Sequence, residues 1–132
     1  MLRGRTVLVG VSGGIAAYKT CELVRWLRRR EAAVVVVMTP AAERFVTPLT
    51  FEALSGNPVI TSLWGEQKHD LVLPDEARRK TTGKVGHIDL AEAADVMVLA
   101  PATADLIARL VHGEAPDALT TIVLASRARL VV

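Results

Sequence analysis

Ser12, Gly13, Gly14 and Ile15 are the residues best placed to do chemistry, because they stand between the apolar run at 7–11 and an amphipathic stretch with helical spacing. A helix start leaves its first backbone N–H groups unpaired and carries partial positive charge. Glycine, lacking Cβ, lets a phosphate approach the main chain. The same residues also suit a tight strand-to-helix turn that binds nothing, and spacing alone leaves both alternatives open. Two further apolar runs are followed by small polar segments, Thr39-Pro40-Ala41-Ala42 and Pro101-Ala102-Thr103-Ala104-Asp105. Hydroxyls and N–H groups at three strand ends can surround a phosphate and the polar edge of a planar ring without supplying charge.

His87 follows Gly86 at the start of another amphipathic stretch. An imidazole there can act as a general base or hold a carboxylate; the plain alternative is a solvent-facing residue at a helix start. His69, in a polar stretch, and His112, at a helix end, read as surface residues. The histidines are scattered and no Cys or His pair has metal-site spacing, so an organic ring cofactor fits the inventory better than a metal.

Two nucleotide templates fail at named positions. A dinucleotide fingerprint from Gly10 needs glycine where Ser12 and Ile15 stand, and an acid after the second strand, which instead ends in Met38-Thr39-Pro40. A P-loop from Gly13 needs glycine before Lys19-Thr20, where the chain has Tyr18.

The elements that must position these residues follow from periodicity. Strands are expected over 6–11, 34–38, 96–100 and 130–132, with a short one over 59–61; helices over 15–30, within 41–55, and over 88–94, 102–111 and 117–126. Strands separated by helices imply a parallel sheet, which should be doubly wound with ligands at the carboxyl ends of its strands. Thr20, Leu23, Val24 and Leu27 form the sheet-facing stripe of the first helix, and Arg25, Arg28 and Arg29 face outward. The stretch 65–86 reads as a polar loop, with 71–74 left without an assigned element. The final strand reads as buried.

With 132 residues, 51% hydrophobic and only 4% aromatic, the chain suits one domain with a core of Val, Leu, Ile and Ala. A net charge of +2 gives no argument for a nucleic-acid partner. No apolar run approaches the roughly 20 residues needed to span a bilayer, and 1–5 lacks a signal peptide, so the expectation is a cytoplasmic protein with no membrane partner. Cys21, the lone cysteine, reads as a small packing residue within the first helix.

Several ordered segments together resemble one family. They are 10–19 (Gly-Val-Ser-Gly-Gly-Ile-Ala-Ala-Tyr-Lys), 37–42 with 44–51, 54–59 (Leu-Ser-Gly-Asn-Pro-Val), 86–91 (Gly-His-Ile-Asp-Leu-Ala), 100–104 and 117–121. In these the chain is similar to the homo-oligomeric flavin-containing cysteine decarboxylases, and within them to the phosphopantothenoylcysteine decarboxylase domain. The resemblance implies a doubly wound α/β fold (Rossmann-like, flavodoxin-like), a parallel sheet with helices on both faces. It implies FMN as cofactor, with Ser12, Gly13, Gly14 and Ile15 against its phosphate or ribityl chain, Thr39 at the next strand end, and Thr103, Ala104 and Asp105 opposite. It implies His87 as the catalytic histidine and a trimer or trimer-based assembly with flavin where subunits meet. The implied reaction, on a small-molecule substrate, takes 4′-phospho-N-pantothenoylcysteine to 4′-phosphopantetheine and CO₂ in coenzyme A synthesis. Oxidation of the thiol side to a thioaldehyde gives the electrons of decarboxylation somewhere to go, and the hydride is then returned.

The chain departs from the family pattern in three places. Asp105 stands where the family commonly has Asn, exchanging a donor-bearing amide for a carboxylate that, when ionised, only accepts. The Pro-x-Met-Asn motif and the segment with a proton-donating cysteine would follow Val132, so the expectation is a single flavin-binding domain, incomplete at its C-terminus, without an attached ligase domain. The stretch 65–86 is longer than the usual connection. Two other functions stay open on these residues: a non-catalytic FMN-binding or regulatory subunit, and a flavin decarboxylase of C-terminal peptide cysteines.

Overall fold

The computed structural model describes residues 1–64, 70–79 and 86–132. Apolar runs too short for buried helices become strands β1 (Thr6–Val11), β2 (Ala33–Met38), β3 (Val96–Leu99) and β4 (Arg129–Val131). They form one parallel sheet in the order β2-β1-β3-β4, with Val9 opposite both Val36 and Val98. Side chains alternate between the faces. Val7, Val9, Val11, Val34, Val36 and Met38 enter one core cluster; Leu8, Val35, Val37, Met97 and Leu99 enter the other. Burial on both faces explains why these strands read as unbroken apolar runs. Each such side chain contributes about 1.5–3 kcal/mol.

Helices α1 (Ala17–Arg29) and α2 (Pro48–Ser55) cover the first face. Helix α3 (Asp75–Arg79), α4 (His87–Ala93), α5 (Ala104–Val111) and α6 (Ala118–Ala125) place their buried residues in the second cluster. The sheet is therefore doubly wound, as the sequence predicts. From β1 the chain winds outward through α1 to β2, then returns past β1 to β3 by way of α4. That reversal opens a crevice at the carboxyl ends of β1 and β3, the usual ligand position in such sheets.

Thr20, Val24 and Leu27 of α1 are buried and Arg25, Arg28 and Arg29 exposed, so the stripe faces the sheet. Helix α1 starts two residues later than expected because 13–16 form a turn, closed by Ala17 N–H donating to the Gly14 carbonyl at 3.0 Å. The expected strand at 59–61 reduces to a single bridge, Val37 with Ile60. Strand β4 is exposed, not buried: Leu130 is 42% and Val131 45% accessible. Among the described residues it pairs with β3 alone, at the edge of the sheet.

The stretch 65–86 is not a loop throughout. Residues 65–69, with His69, and 80–85 lie outside the described residues. Between them Leu71 and Leu73 are buried in the second cluster and 75–79 form α3. Asn57 bolts this segment down. Its Nδ2 donates to the Val34 carbonyl of β2 at 2.8 Å, and its Oδ1 accepts from the Val72 N–H at 2.7 Å. A leucine pair separated by one residue can bury itself against a core without a regular element around it, which periodicity does not register.

Candidate functional site

At the crevice the loop after β1 is tied to the loop after β3. The Ser12 hydroxyl donates to the Pro101 carbonyl and accepts from the Thr103 N–H at 3.1 Å. Thr20 of α1 donates to the Ala100 carbonyl at 2.7 Å, and the Ala100–Pro101 peptide is cis. Ser12 is buried, and its single proton is spent on Pro101, so in this arrangement it has none to give a phosphate.

Gly13 packs against the loop after β2. A Cβ there would lie 2.5 Å from the Ala41 Cβ and 2.9 Å from its carbonyl carbon. Glycine at this position therefore serves contact between two loops of the protein itself. A Cβ on Gly14 would meet only ordinary contacts, the nearest being Thr103 Cγ2 at 3.6 Å. Donors remain along this turn: the N–H groups of Gly13, Gly14, Ile15 and Ala16 hydrogen-bond to no other described residue. They belong to the turn that leads into α1, whose N-cap Ala16 makes no side-chain cap bond.

Thr39 and Thr103 play matching parts at the other two strand ends. Thr39 Oγ1 accepts from Ala42 N–H at 3.2 Å, and Thr103 Oγ1 caps α5 by accepting from Leu106 N–H at 3.2 Å. A hydroxyl that accepts still has its proton, so both remain able to donate to a ligand. Together with Ser12 and Gly13 they line a cavity of about 480 Å³ whose remaining walls are Pro40, Ala41, Asp105, Leu106, Arg109, Pro116 and Asp117.

The structure thus brings Ser12, Gly13, Thr39, Thr103 and Asp105 into one cavity. It does not bring Gly14, Ile15, Ala104 or His87 to its lining. Ile15 is 77% exposed and Ala104 is exposed on the first turn of α5. His87 is half-buried as the first residue of α4, whose Gly86 N–H donates to Asp89 Oδ2 at 3.1 Å. Leu106, Arg109 and Pro116 line the cavity as well, and sequence reasoning did not single them out. Arg109 could have been found as the residue one helical turn after Asp105.

Charge in the cavity is held by α5 and its following turn. Arg109 Nε donates to Asp105 Oδ2 at 3.0 Å and Arg109 Nη1 to Glu114 Oε2 at 3.2 Å. Hydrogen bonding and charge from Asp105 raise the Arg109 pKa further above its usual range; desolvation opposes this, and Glu114 and Asp117 add smaller upward contributions. Asp117 caps α6, accepting from Thr120 N–H at 2.9 Å. On α1, burial pushes the Cys21 thiol up, partly offset by a backbone hydrogen bond, which suits packing and not nucleophilic attack. Among the described residues there is no group of three or more His, Cys, Asp or Glu placed to hold a metal, and no helix is long and apolar enough to cross a membrane.

The Flavoprotein family profile matches residues 1–130. The chain belongs to the Flavoprotein family. It is 52% identical over 127 residues to the coenzyme A biosynthesis bifunctional protein CoaBC of Haemophilus influenzae, an alignment covering 96% of this chain and 28% of that protein. With the Escherichia coli protein of the same name it shares 50% over 131 residues, 99% of this chain and 29% of the relative. The chain spans less than a third of the length of these curated relatives. Among solved structures, the FMN-dependent cysteine decarboxylase SpaF superposes with a TM-score of 0.78 at 29% identity, covering 98% of this chain and 67% of SpaF. A PPC decarboxylase variant complexed with pantothenoylaminoethenethiol superposes with a TM-score of 0.68 at 25% identity, covering 97% and 65%. Family membership turns the three-loop cavity into the first place to look for a flavin.

Proposed function

We propose that this chain binds FMN in the switch-point cavity and is the flavin-binding part of a phosphopantothenoylcysteine decarboxylase, converting 4′-phospho-N-pantothenoylcysteine to 4′-phosphopantetheine and CO₂ in coenzyme A biosynthesis. The observation that carries it is the donor set. A row of unpaired N–H groups begins at the cavity-lining Gly13, and Thr39 and Thr103 add two free hydroxyl protons, in a chain half identical to CoaBC proteins. The residues fit the cofactor: a phosphate needs donors, a ring needs a small-walled slot, and about 480 Å³ lies within the range of cofactor pockets.

Gly13 on the lining, with Gly14 and Ile15 continuing the turn just outside it, would hold the phosphate or ribityl chain through the main chain. Thr39 and Thr103 would donate from either side, and Asp105 would border the opposite wall, with Ala104 beside it outside the lining. Ser12 would act by holding the two loops in register. FMN, when bound, supplies the two-electron acceptor for the thiol-bearing carbon and returns the hydride after CO₂ has left. His87 would take the thiol proton or orient the departing carboxylate.

Because His87 does not line the cavity of its own chain, the proposal includes a homo-oligomer, a trimer or a trimer-based assembly, with the flavin at a subunit junction. Exposed Ile15, Tyr18, Phe45 and Leu49, all on segments that follow β1 or β2, support such a covering. The cytoplasm is the proposed location, where a lone free thiol such as Cys21 persists.

The test is to purify the protein carrying this chain, load it with FMN, and follow flavin absorbance and CO₂ release. Phosphopantothenoylcysteine should be decarboxylated, and His87→Asn should keep the flavin while losing CO₂ release. A protein that takes up no flavin refutes the proposal. Bound flavin without turnover supports a non-catalytic subunit, and turnover of a cysteine-terminated peptide alone supports the peptide enzyme.

A further inference from the structure

Among the described residues the cavity has two carboxylates on its lining, Asp105 and Asp117, and one cation, Arg109. A phosphomonoester entering it would meet net negative charge unless the guanidinium turns toward it. We infer that Arg109 is the phosphomonoester-recognition residue of this cavity, held on its lining by Asp105 and Glu114 until a phosphorylated ligand replaces them. The inference rests on the proposed flavin site and deepens it by naming the charge that selects a phosphorylated ligand.

Three observations carry it. The guanidinium engages through Nε and Nη1 on carboxylates from two different segments, with a single contact to each, so neither acid holds it by a paired, bidentate contact. Those carboxylates are open to water, with side chains 74% and 53% exposed, and the Arg109 side chain is itself 39% exposed. Exposed pairs of this kind are weak and exchange easily. A phosphate dianion can take two parallel N–H bonds along one edge of the guanidinium where each of these acids takes one, and it carries twice the charge of a carboxylate. Asp117, the other carboxylate on the lining, is engaged by Thr120 and does not pair with Arg109 directly.

The phosphate could be that of the flavin or that of the substrate, and the experiment separates them. FMN and riboflavin affinities are measured by flavin fluorescence for the unmodified protein, Arg109→Ala, Arg109→Lys and Asp105→Asn. The flavin-loaded protein is then titrated with phosphopantothenoylcysteine and its dephosphorylated counterpart. If the flavin phosphate is the target, Arg109→Ala weakens FMN about 10- to 100-fold with riboflavin unchanged. Arg109→Lys then loses less, and Asp105→Asn binds FMN more tightly by freeing the guanidinium. If the substrate phosphate is the target, the same pattern appears only between the two pantothenoyl ligands. Equal losses for phosphorylated and unphosphorylated ligands, or no loss in either pair, overturn the inference. Should the unmodified protein bind neither flavin, the flavin proposal fails separately. Inorganic phosphate, followed by ³¹P line broadening with and without Arg109, then decides the inference: broadening that Arg109→Ala abolishes supports it, and no difference overturns it.

Discussion

Replacing Ser12 by alanine decides whether this residue is a clamp between loops or a ligand for phosphate. Ser12 is 1% exposed; its hydroxyl donates to the Pro101 carbonyl and accepts from the Thr103 N–H at 3.1 Å. Alanine removes both bonds, at about 1 kcal/mol each, and strands a Thr103 N–H whose desolvation adds about 1–2 kcal/mol. The Pro101 carbonyl is partly compensated, since it keeps a long bond from the Ser12 N–H at 3.4 Å. The loss should therefore be about 2–4 kcal/mol, from a total stability of about 5–15 kcal/mol. With a urea dependence of about 2 kcal/mol per molar, the unfolding midpoint of the ligand-free protein should fall by about 1–2 M. Circular dichroism reports that midpoint, and fluorescence titration reports FMN and riboflavin affinity on the same samples. Since the register of two loops is what changes, both flavins should weaken together. An unchanged midpoint combined with loss of FMN binding alone would refute the clamp and make Ser12 a phosphate contact.

Two further substitutions test the frame around the site. Gly13→Ala should destabilise by about 1–3 kcal/mol through overlap with Ala41, and adding Ala41→Gly should recover only part of it, because the 2.9 Å approach to the Ala41 carbonyl carbon persists; thermal melts of the single and double variants measure the coupling. Asn57→Ala should cost about 2–3 kcal/mol by removing the bonds to Val34 and Val72, and hydrogen exchange should show the Val72 amide losing protection before those of β2. Unaltered protection at Val72 would show that Leu71 and Leu73 alone hold the segment.

Much of the frame could be read along the chain because its signals are local. The valine-rich runs of β1 and β2 and the buried stripe of α1 each depend on neighbours within a turn or two. The three polar loops could be read for the same reason: a parallel strand ends where small and hydroxyl residues begin. Less legible were the segments whose order comes from distant partners. Leu71 and Leu73 sit in a polar stretch that periodicity calls loop, yet they are buried because Asn57 and the second core face receive them. The strand at 129–131 looked buried from its composition, but its place at the sheet edge leaves it exposed.

By itself, then, the sequence determined a doubly wound parallel sheet and the three strand-end loops that meet over it, because hydrophobic period and small-residue turns act over a few positions. Only the tertiary structure decided which polar groups in those loops are spent and which are free. Ser12 finds its partners 89 and 91 residues away, Gly13 meets Ala41 from another loop, and Arg109 reaches the cavity lining from α5. A hydrogen bond saturates a donor wherever its partner comes from, so the donors left for a ligand are known only once the whole chain has folded.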